Sequence, residues 1–595
     1  MGLEYQSVGR TVAHYLLAVT VGGLAFAAVG DSTPPVPLGW MTLAVCGAFI
    51  VVTVMRHYGS AAEPTSVAIT RSARPPRSPG IVVGLLGLLL VGGVLRGYAL
   101  GVQSFWFDEA ISANAAIAIL ETGQPTFPSG YTYWRALPHT LMVAASMALL
   151  GSGEAAARLP SVVAGVITIA ATYWLGKKTG GARVGLLAAT LLTFATWELA
   201  WSRQARMYQL FQLLYTLSIV LLLDVGRTWF DDVRTGVTLA GVSAGAMLTH
   251  RIGYVLPPIT VVYLAIRGSL DRQFTRRTAG GFLMGTLVLL VVVELVFGAF
   301  VSSTATIATI DGNYALAYAE WLAANLQGIF YLGLLGTALT FYRGWYRAGT
   351  VLVLAVGPPL WVLSFHTELY ATRYLYFGVP IWFVWAAVTV EYVATLVLEG
   401  IAVVDRRVRP SSGCGHRITS GQSRGEVTLV VALGLLTVLA SGGGVTVMPQ
   451  ATYDLGPNAP QPEFAEAYGY VNEHHTPSDV IAAGWTAPGL YYSGGVDYWL
   501  AHDLLGNGNR WTVNGEERYA GAEPVTSADD LQTVMENHER GWIIIDEIAF
   551  ARLSPDTQAM IQNLPQKHSG SVDVYQWNFS ESRERDDTAP FTVRS

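Results

Sequence analysis

The chain has 595 residues, 52% of them hydrophobic and only 13% charged, with a formal net charge of −6 and a mean hydropathy of +0.39. This composition lies outside the range of soluble globular chains and inside that of membrane proteins, so the bilayer is the main solvent. The negative balance argues against nucleic acid as a partner.

Runs of about 20 apolar residues predict about thirteen membrane spans. The first three are Thr11–Val29, Leu38–Met55 and Ile81–Ala99. The next five are Pro160–Gly176, Val184–Leu199, Tyr208–Asp224, Gly236–His250 and Tyr254–Ile266. Gly280–Phe300, Trp321–Phe341, Val351–Phe365, Tyr374–Leu396 and Val427–Val447 complete the set. Lys and Arg concentrate in alternate connections, at Arg56 with Arg71–Arg77, Lys177–Arg183, Arg227–Arg234, Arg267–Arg277, Arg343–Arg347 and Arg406–Arg409. By the positive-inside rule those connections and the N-terminus are cytoplasmic, and everything after Met448 is outside. The first span has no cleavage-type site and is read as retained.

Three regions follow: an additional N-terminal hairpin and loop (1–80), a membrane module (81–447) with a long outer loop at 100–159, and an outer domain (448–595). From Pro449 onward about 22 acidic residues face about 8 basic ones, so the outer domain is strongly acidic. Its apolar stretches Asp479–Ala483, Trp542–Ile545 and Val572–Trp577, with a helical stretch at Ser527–Asn537, predict a small α/β domain with a partly parallel sheet. In the outer loop, Asp108–Leu120 carries Ile111, Ala115 and Ile119 at helical spacing, the pattern of an interfacial helix. Pro138–Leu150 reads as a second juxtamembrane helix. Trp106, Tyr131, Tyr133 and Trp134 suit the headgroup level. Cys46 and Cys414 fall in a span and a cytoplasmic loop and cannot pair. Cys414-x-His416 is far short of a metal site, and nothing else indicates a cofactor or a divalent cation. Asn578-Phe579-Ser580 is a glycosylation sequon.

Chemistry concentrates in the outer connections. Asp108 and Glu109 place two carboxylates among aromatics just past a span. Desolvation there would raise a carboxylate's basicity and suit it to accept a proton from a hydroxyl, whereas an N-cap would be the purely structural use of Asp108. Trp201-Ser202-Arg203-Gln204-Ala205-Arg206-Met207-Tyr208 sets two arginines on the face where positive charge is disfavoured. Phosphate binding by guanidinium forks would explain them, and headgroup anchoring is the structural alternative. Arg135, Arg158, Arg251 and Arg373 are expected on the same face, with His139 and Tyr374 as further candidates. Glu294 is the one carboxylate well inside a span, a functional candidate or a helix-packing group. Tyr491, Tyr492, Tyr498 and Trp499 could stack on sugar rings or serve as core.

Three stretches carry a family resemblance: Phe107-Asp108-Glu109, the run Gly151 to Ser161 ending Arg158-Leu159-Pro160-Ser161, and Ser202-Arg203-x-Ala205-Arg206-Met207-Tyr208. From about Ile81 to Gly268 the chain resembles the GT-C polyprenyl-phosphate-sugar glycosyltransferases, the group of protein O-mannosyltransferases and lipid A aminoarabinose transferase. Farther on, Arg373-Tyr374 followed by Pro380 is similar to that group's late Arg-Tyr motif. The resemblance implies a polytopic α-helical membrane protein of GT-C fold with a C-terminal extracytoplasmic α/β domain. It implies transfer, normally with inversion and often without an essential metal, of a hexose such as mannose. The donor would be dolichyl- or undecaprenyl-phosphate, and the acceptor hydroxyl, on a protein, lipid or glycan, would lie on the outer face. It assigns Asp108 to the acceptor hydroxyl and Arg135, Arg206 and Arg373 to the donor phosphate. Where relatives carry a Lys-Pro pair, this chain has Arg135-Ala136-Leu137-Pro138.

A transporter or lipid flippase is the main alternative, but internal repeats and paired interrupted helices are not evident. A third reading makes the spans an anchor for the acidic domain and leaves the outer arginines unexplained. An oligosaccharyltransferase would carry Trp-Trp-Asp, which the sequence lacks.

Overall fold

A computed structural model describes residues 79–228, 233–271, 313–367, 370–408, 462–501 and 511–578. The spans expected at Thr11–Val29, Leu38–Met55, Gly280–Phe300 and Val427–Val447, with Cys46, Glu294, Cys414 and His416, lie outside them. The chain divides into two compact units. One holds residues up to Arg96, Val163–Ser202 and Tyr208–Tyr453; the other holds Gly97–Val162, Arg203–Met207 and Asp454–Ser595.

The first unit is helical. Among the described residues five helices are long and apolar enough to cross a membrane: Gly80–Gly97, Glu154–Gly180 (whose first turns belong to the other unit), Tyr208–Gly226, Tyr346–Phe365 and Thr372–Leu396. Several expected spans are divided or displaced. Trp321–Phe341 is two helices, Ala315–Leu326 and Gly328–Tyr342, bent by 111° at Gln327, whose φ of 43° is a left-handed conformation that no helix continues through. Val184–Leu199 breaks at Ala195, whose extended ψ of 125° ends helix Ala182–Phe194 before the short helix Thr196–Trp201. The fourth span begins at Glu154, six residues before the expected Pro160, which sits inside the helix. Thr372–Gly378 is a 3-10 turn that leads into helix Val379–Val408, where Pro380 lies in the first turn and so needs no amide partner.

In the second unit, residues 462–578 build a six-stranded sheet ordered β5-β2-β1-β6-β8-β7. Its strands are β1 Val480–Ala483, β2 Tyr498–Leu500, β5 Glu523–Val525, β6 Arg540–Asp546, β7 Gln566–His568 and β8 Val572–Asn578. The β1, β2, β5 and β6 pairings are parallel, and β6-β8 and β7-β8 antiparallel, so the sheet is mixed as expected. Successive residues of β1 and β6 feed opposite faces: Ile481, Ala483, Trp542 and Ile544 one core, Val480, Ala482, Ile543 and Ile545 the other. Burial on both faces is why Trp542–Ile545 reads as an unbroken apolar run. A separate hairpin pairs β3 Thr512–Val513 with β4 Glu516–Glu517. Its turn residues Asn514 and Gly515 both have positive φ, the demand of a tight hairpin turn.

Helix Phe107–Thr122 belongs to this second unit, and here the interfacial expectation fails. Glu109 to Ala116 are buried without interruption, whereas an interfacial helix keeps a polar side in water. Small side chains explain the difference: Ala110, Ala113, Ala115 and Ala116 let neighbours close in on every side, and Asn114 Nδ2 donates to the Ala487 carbonyl at 2.8 Å. Trp106 and Tyr133 are likewise buried in protein, and only Trp134 of that aromatic group is exposed. Trp499 is core, while the hydroxyls of Tyr491 and Tyr492 bond to the Ser152 carbonyl and to Glu154.

Candidate active site

Asp108 and Glu109 lie in the first turn of helix Phe107–Thr122, whose N-cap is Trp106. Asp108 is therefore not the cap. Consecutive helical residues point about 100° apart, and these two carboxylates meet different surroundings. Glu109 is 2% exposed and wholly engaged. Its two oxygens accept from Arg158 Nε and Nη2, each at 2.8 Å, and Oε1 also accepts the Ala205 amide at 2.7 Å. Arg158 Nη1 donates to the carbonyls of Leu100 and Gln103, and Nη2 to that of Ser104, at 2.8–2.9 Å. All five guanidinium N–H groups are used, a bidentate, fully satisfied buried pair. It ties three segments together: the 100–104 turn, the start of the 107–122 helix and the Arg203–Met207 stretch.

Asp108 keeps its side chain 16% exposed, and its Oδ2 stands 3.3 Å from Arg206 Nη2. Arg206 is 3% exposed; its Nη1 also donates to the Asp108 carbonyl at 2.7 Å and to Ser112 Oγ at 3.1 Å. Beside it, buried His139 lies 3.4 Å from Ser161 Oγ, which donates to the Arg206 carbonyl. Burial, reinforced by the Arg206 charge, pushes the His139 imidazole down to about 3, so it sits there neutral. Arg203 donates to the carbonyls of Tyr98 and Ala99, and Trp106 Nε1 to Gln204 Oε1 at 3.2 Å. Arg203 and Arg158 thus fasten backbone, while Arg206 faces the accessible carboxylate. Arg135 is exposed in the same unit.

Tyr208, Arg373 and Tyr374 belong to the helical unit. Tyr208 is buried, its ring edge-on to Trp201 at 5.2 Å and 5.6 Å from His250. Arg373 lies over the Tyr374 ring at 5.8 Å, both half-buried on the 3-10 turn Thr372–Gly378. Sequence reasoning missed a polar node in this unit. Glu198 is fully buried and accepts from Gln212 Nε2 and, at 2.8 Å, from the Tyr376 hydroxyl. Gln209 donates to Gln212 Oε1 at 2.9 Å and to Thr168 Oγ1 at 3.1 Å. The available signal was the spacing of Gln209 and Gln212, three apart on one face of an otherwise apolar span. Among the described residues no three of His, Cys, Asp and Glu come together as metal ligands would.

Residues 135–297 match the family model described as dolichyl-phosphate-mannose-protein mannosyltransferase, a match that begins downstream of Asp108. No curated protein sequence matches the chain significantly. Among solved structures, ArnT from Cupriavidus metallidurans in the apo state is similar with a TM-score of 0.54 at 15% identity, over 84% of this chain and 98% of that one. The same protein bound to undecaprenyl phosphate gives 0.51 at 14%, over 83% and 97%. The oligosaccharyltransferase of Archaeoglobus fulgidus gives 0.50 at 12%, over 82% and 73%. These likenesses establish the fold: a mostly helical architecture with a C-terminal α/β region, shared with those structures.

Proposed function

We propose that this chain is a membrane glycosyltransferase that moves a sugar from a polyprenyl phosphate to an acceptor hydroxyl on the outer face of the membrane, with Asp108 as the acceptor's base. The observation that carries the reading is the contrast within the carboxylate pair: Glu109 is consumed by structure, while Asp108 stays accessible and is held by a buried arginine. The family model over residues 135–297 and a fold shared with a structure bound to undecaprenyl phosphate support a lipid-phosphate donor.

In the proposed step the acceptor O–H bond breaks and its proton passes to Asp108. The acceptor oxygen bonds to the anomeric carbon, the bond from that carbon to the phosphate oxygen breaks, and the polyprenyl phosphate leaves with the electron pair. Arg206 holds the Asp108 carboxylate in place from 3.3 Å and supplies positive charge as the leaving phosphate develops. Its fork is already occupied by Asp108 and Ser112, so it acts on phosphate chiefly as a nearby charge. The sequence resemblance extends donor binding to Arg135 and Arg373. Mannose or another hexose as the sugar, and dolichol or undecaprenol as the carrier, are the finer forms of the proposal.

The test compares membranes bearing wild type and Asp108→Asn at equal levels for transfer of labelled sugar from dolichyl- and undecaprenyl-phosphate to endogenous acceptors. Loss of a general base predicts a fall of about 10²-fold or more. Equal transfer by the variant removes Asp108 from the chemistry, and no transfer by either chain on either carrier returns the flippase reading.

A further inference from the structure

The 3-10 turn Thr372–Gly378 carries Arg373 and Tyr374 and is anchored on either side of them. On one side the Tyr318 hydroxyl accepts the Ala371 amide at 3.3 Å. On the other, Gln212 Nε2 donates to the Tyr376 carbonyl at 2.8 Å, and the Tyr376 hydroxyl donates to Glu198 Oε2 at 2.8 Å. Tyr376 is among the fully buried side chains, and Trp197 meets its ring edge-on at 5.7 Å. Between the anchors, Arg373 and Tyr374 remain half-buried.

A 3-10 turn is short and makes poorer hydrogen bonds than an α-helix, so its shape depends on what its ends are fastened to. A buried carboxylate is costly in such surroundings, and every polar atom in its network must find a partner for the arrangement to persist. Glu198 meets this condition through Gln212 and Tyr376, with the fully buried Arg96 within electrostatic reach.

We propose that Glu198 is a positioning residue that, through Tyr376 and Gln212, sets the 3-10 turn so that Arg373 is presented to the donor phosphate. This rests on the proposed function, in which Arg373 binds that phosphate. Glu198 itself touches neither donor nor acceptor; its influence on turnover passes through the turn.

The experiment measures apparent KM and kcat for labelled mannose on dolichyl- or undecaprenyl-phosphate as donor, and for added host membranes lacking the protein as acceptor, for the full chain as wild type, Glu198→Ala, Glu198→Gln, Tyr376→Phe, the Glu198→Ala/Tyr376→Phe double variant and Arg373→Ala. Losing a hydrogen bond to a charged partner predicts a rise of about tenfold in donor KM for Glu198→Ala and for Tyr376→Phe, with acceptor KM unmoved. The double variant should fall well short of the two single effects combined, because both single variants cut the Glu198–Tyr376 link. Glu198→Gln, which keeps an acceptor oxygen for the tyrosine, should restore most of the donor affinity. A wild-type donor KM in Tyr376→Phe, or equal rises in donor and acceptor KM, overturns the proposal even if Glu198→Ala fails to accumulate. Failure of the underlying reading looks different: no transfer by wild type, or a donor KM that Arg373→Ala leaves unchanged.

Discussion

Two neighbouring carboxylates at the start of one helix have divided their labour, and the division is testable. Glu109 closes a bidentate pair with Arg158 in a site nearly without water. Removing one member of such a pair leaves the other's charge buried and unpaired, a loss of about 3–5 kcal/mol. Glu109→Gln should therefore lower the unfolding temperature of the purified protein sharply, while Asp108→Asn, where the carboxylate is partly solvated and buried Arg206 keeps its bonds to the Asp108 carbonyl and Ser112, should lower it much less. Similar melting of the two variants would refute the division. From sequence the pair was legible as a pair, since two acids among aromatics past a span stand out. Which acid was available was not legible, because that depends on Arg158, 49 residues away, meeting one side of the helix and Arg206 the other.

Elements came through the sequence unevenly. Alternating polarity and apolar runs located β6 and β8 to within a residue or two, because a strand buried on both faces or a helix in lipid has few compositional options. Breaks were harder. Nothing apolar distinguishes Gln327 from its neighbours as a place to turn by 111°; the bend is a backbone event permitted by a positive φ. Asn514-Gly515 did mark a hairpin that the expected outline of the outer domain omits. A second legible feature was the glycine pair at Gly333 and Gly336 on helix Gly328–Tyr342. A Cβ at Gly336 would lie 1.7 Å from the Trp385 carbonyl oxygen on helix Val379–Val408, and one at Gly333 2.3 Å from Trp382 Nε1. Small residues are what allow membrane helices to approach this closely. Gly336→Ala should cost at least about 2 kcal/mol through overpacking, read as a lower melting temperature in detergent. An unchanged melting temperature would mean that the two helices separate at no cost.

At the scale of the molecule, the loop and the C-terminal residues form one compact unit. Helix Phe107–Thr122 packs on helix Thr486–Ser493, and Phe105, Phe107 and Tyr131 pack with Tyr491, Trp485 and Tyr519. Removing residues 454–595 should therefore expose the Ala-rich helix and make residues 97–162 sensitive to protease, with transfer abolished. A truncated chain whose loop resists protease like the intact one would show that the loop folds alone. Hydropathy and charge could announce a membrane protein with an acidic tail, but not this partnership, since composition carries no record of which distant segments meet.

The same partnership sets an order of events during synthesis. Asn114 and the carbonyl it bonds are 373 residues apart, and ribosomes add about 5–20 residues per second. For roughly 20–75 s the nascent loop exists while its partner helix is not yet translated. Through that interval the alanine faces and the Asn114 amide depend on water, lipid or a chaperone, so the 107–122 segment is where a slowed ribosome or a missing holdase would first be felt.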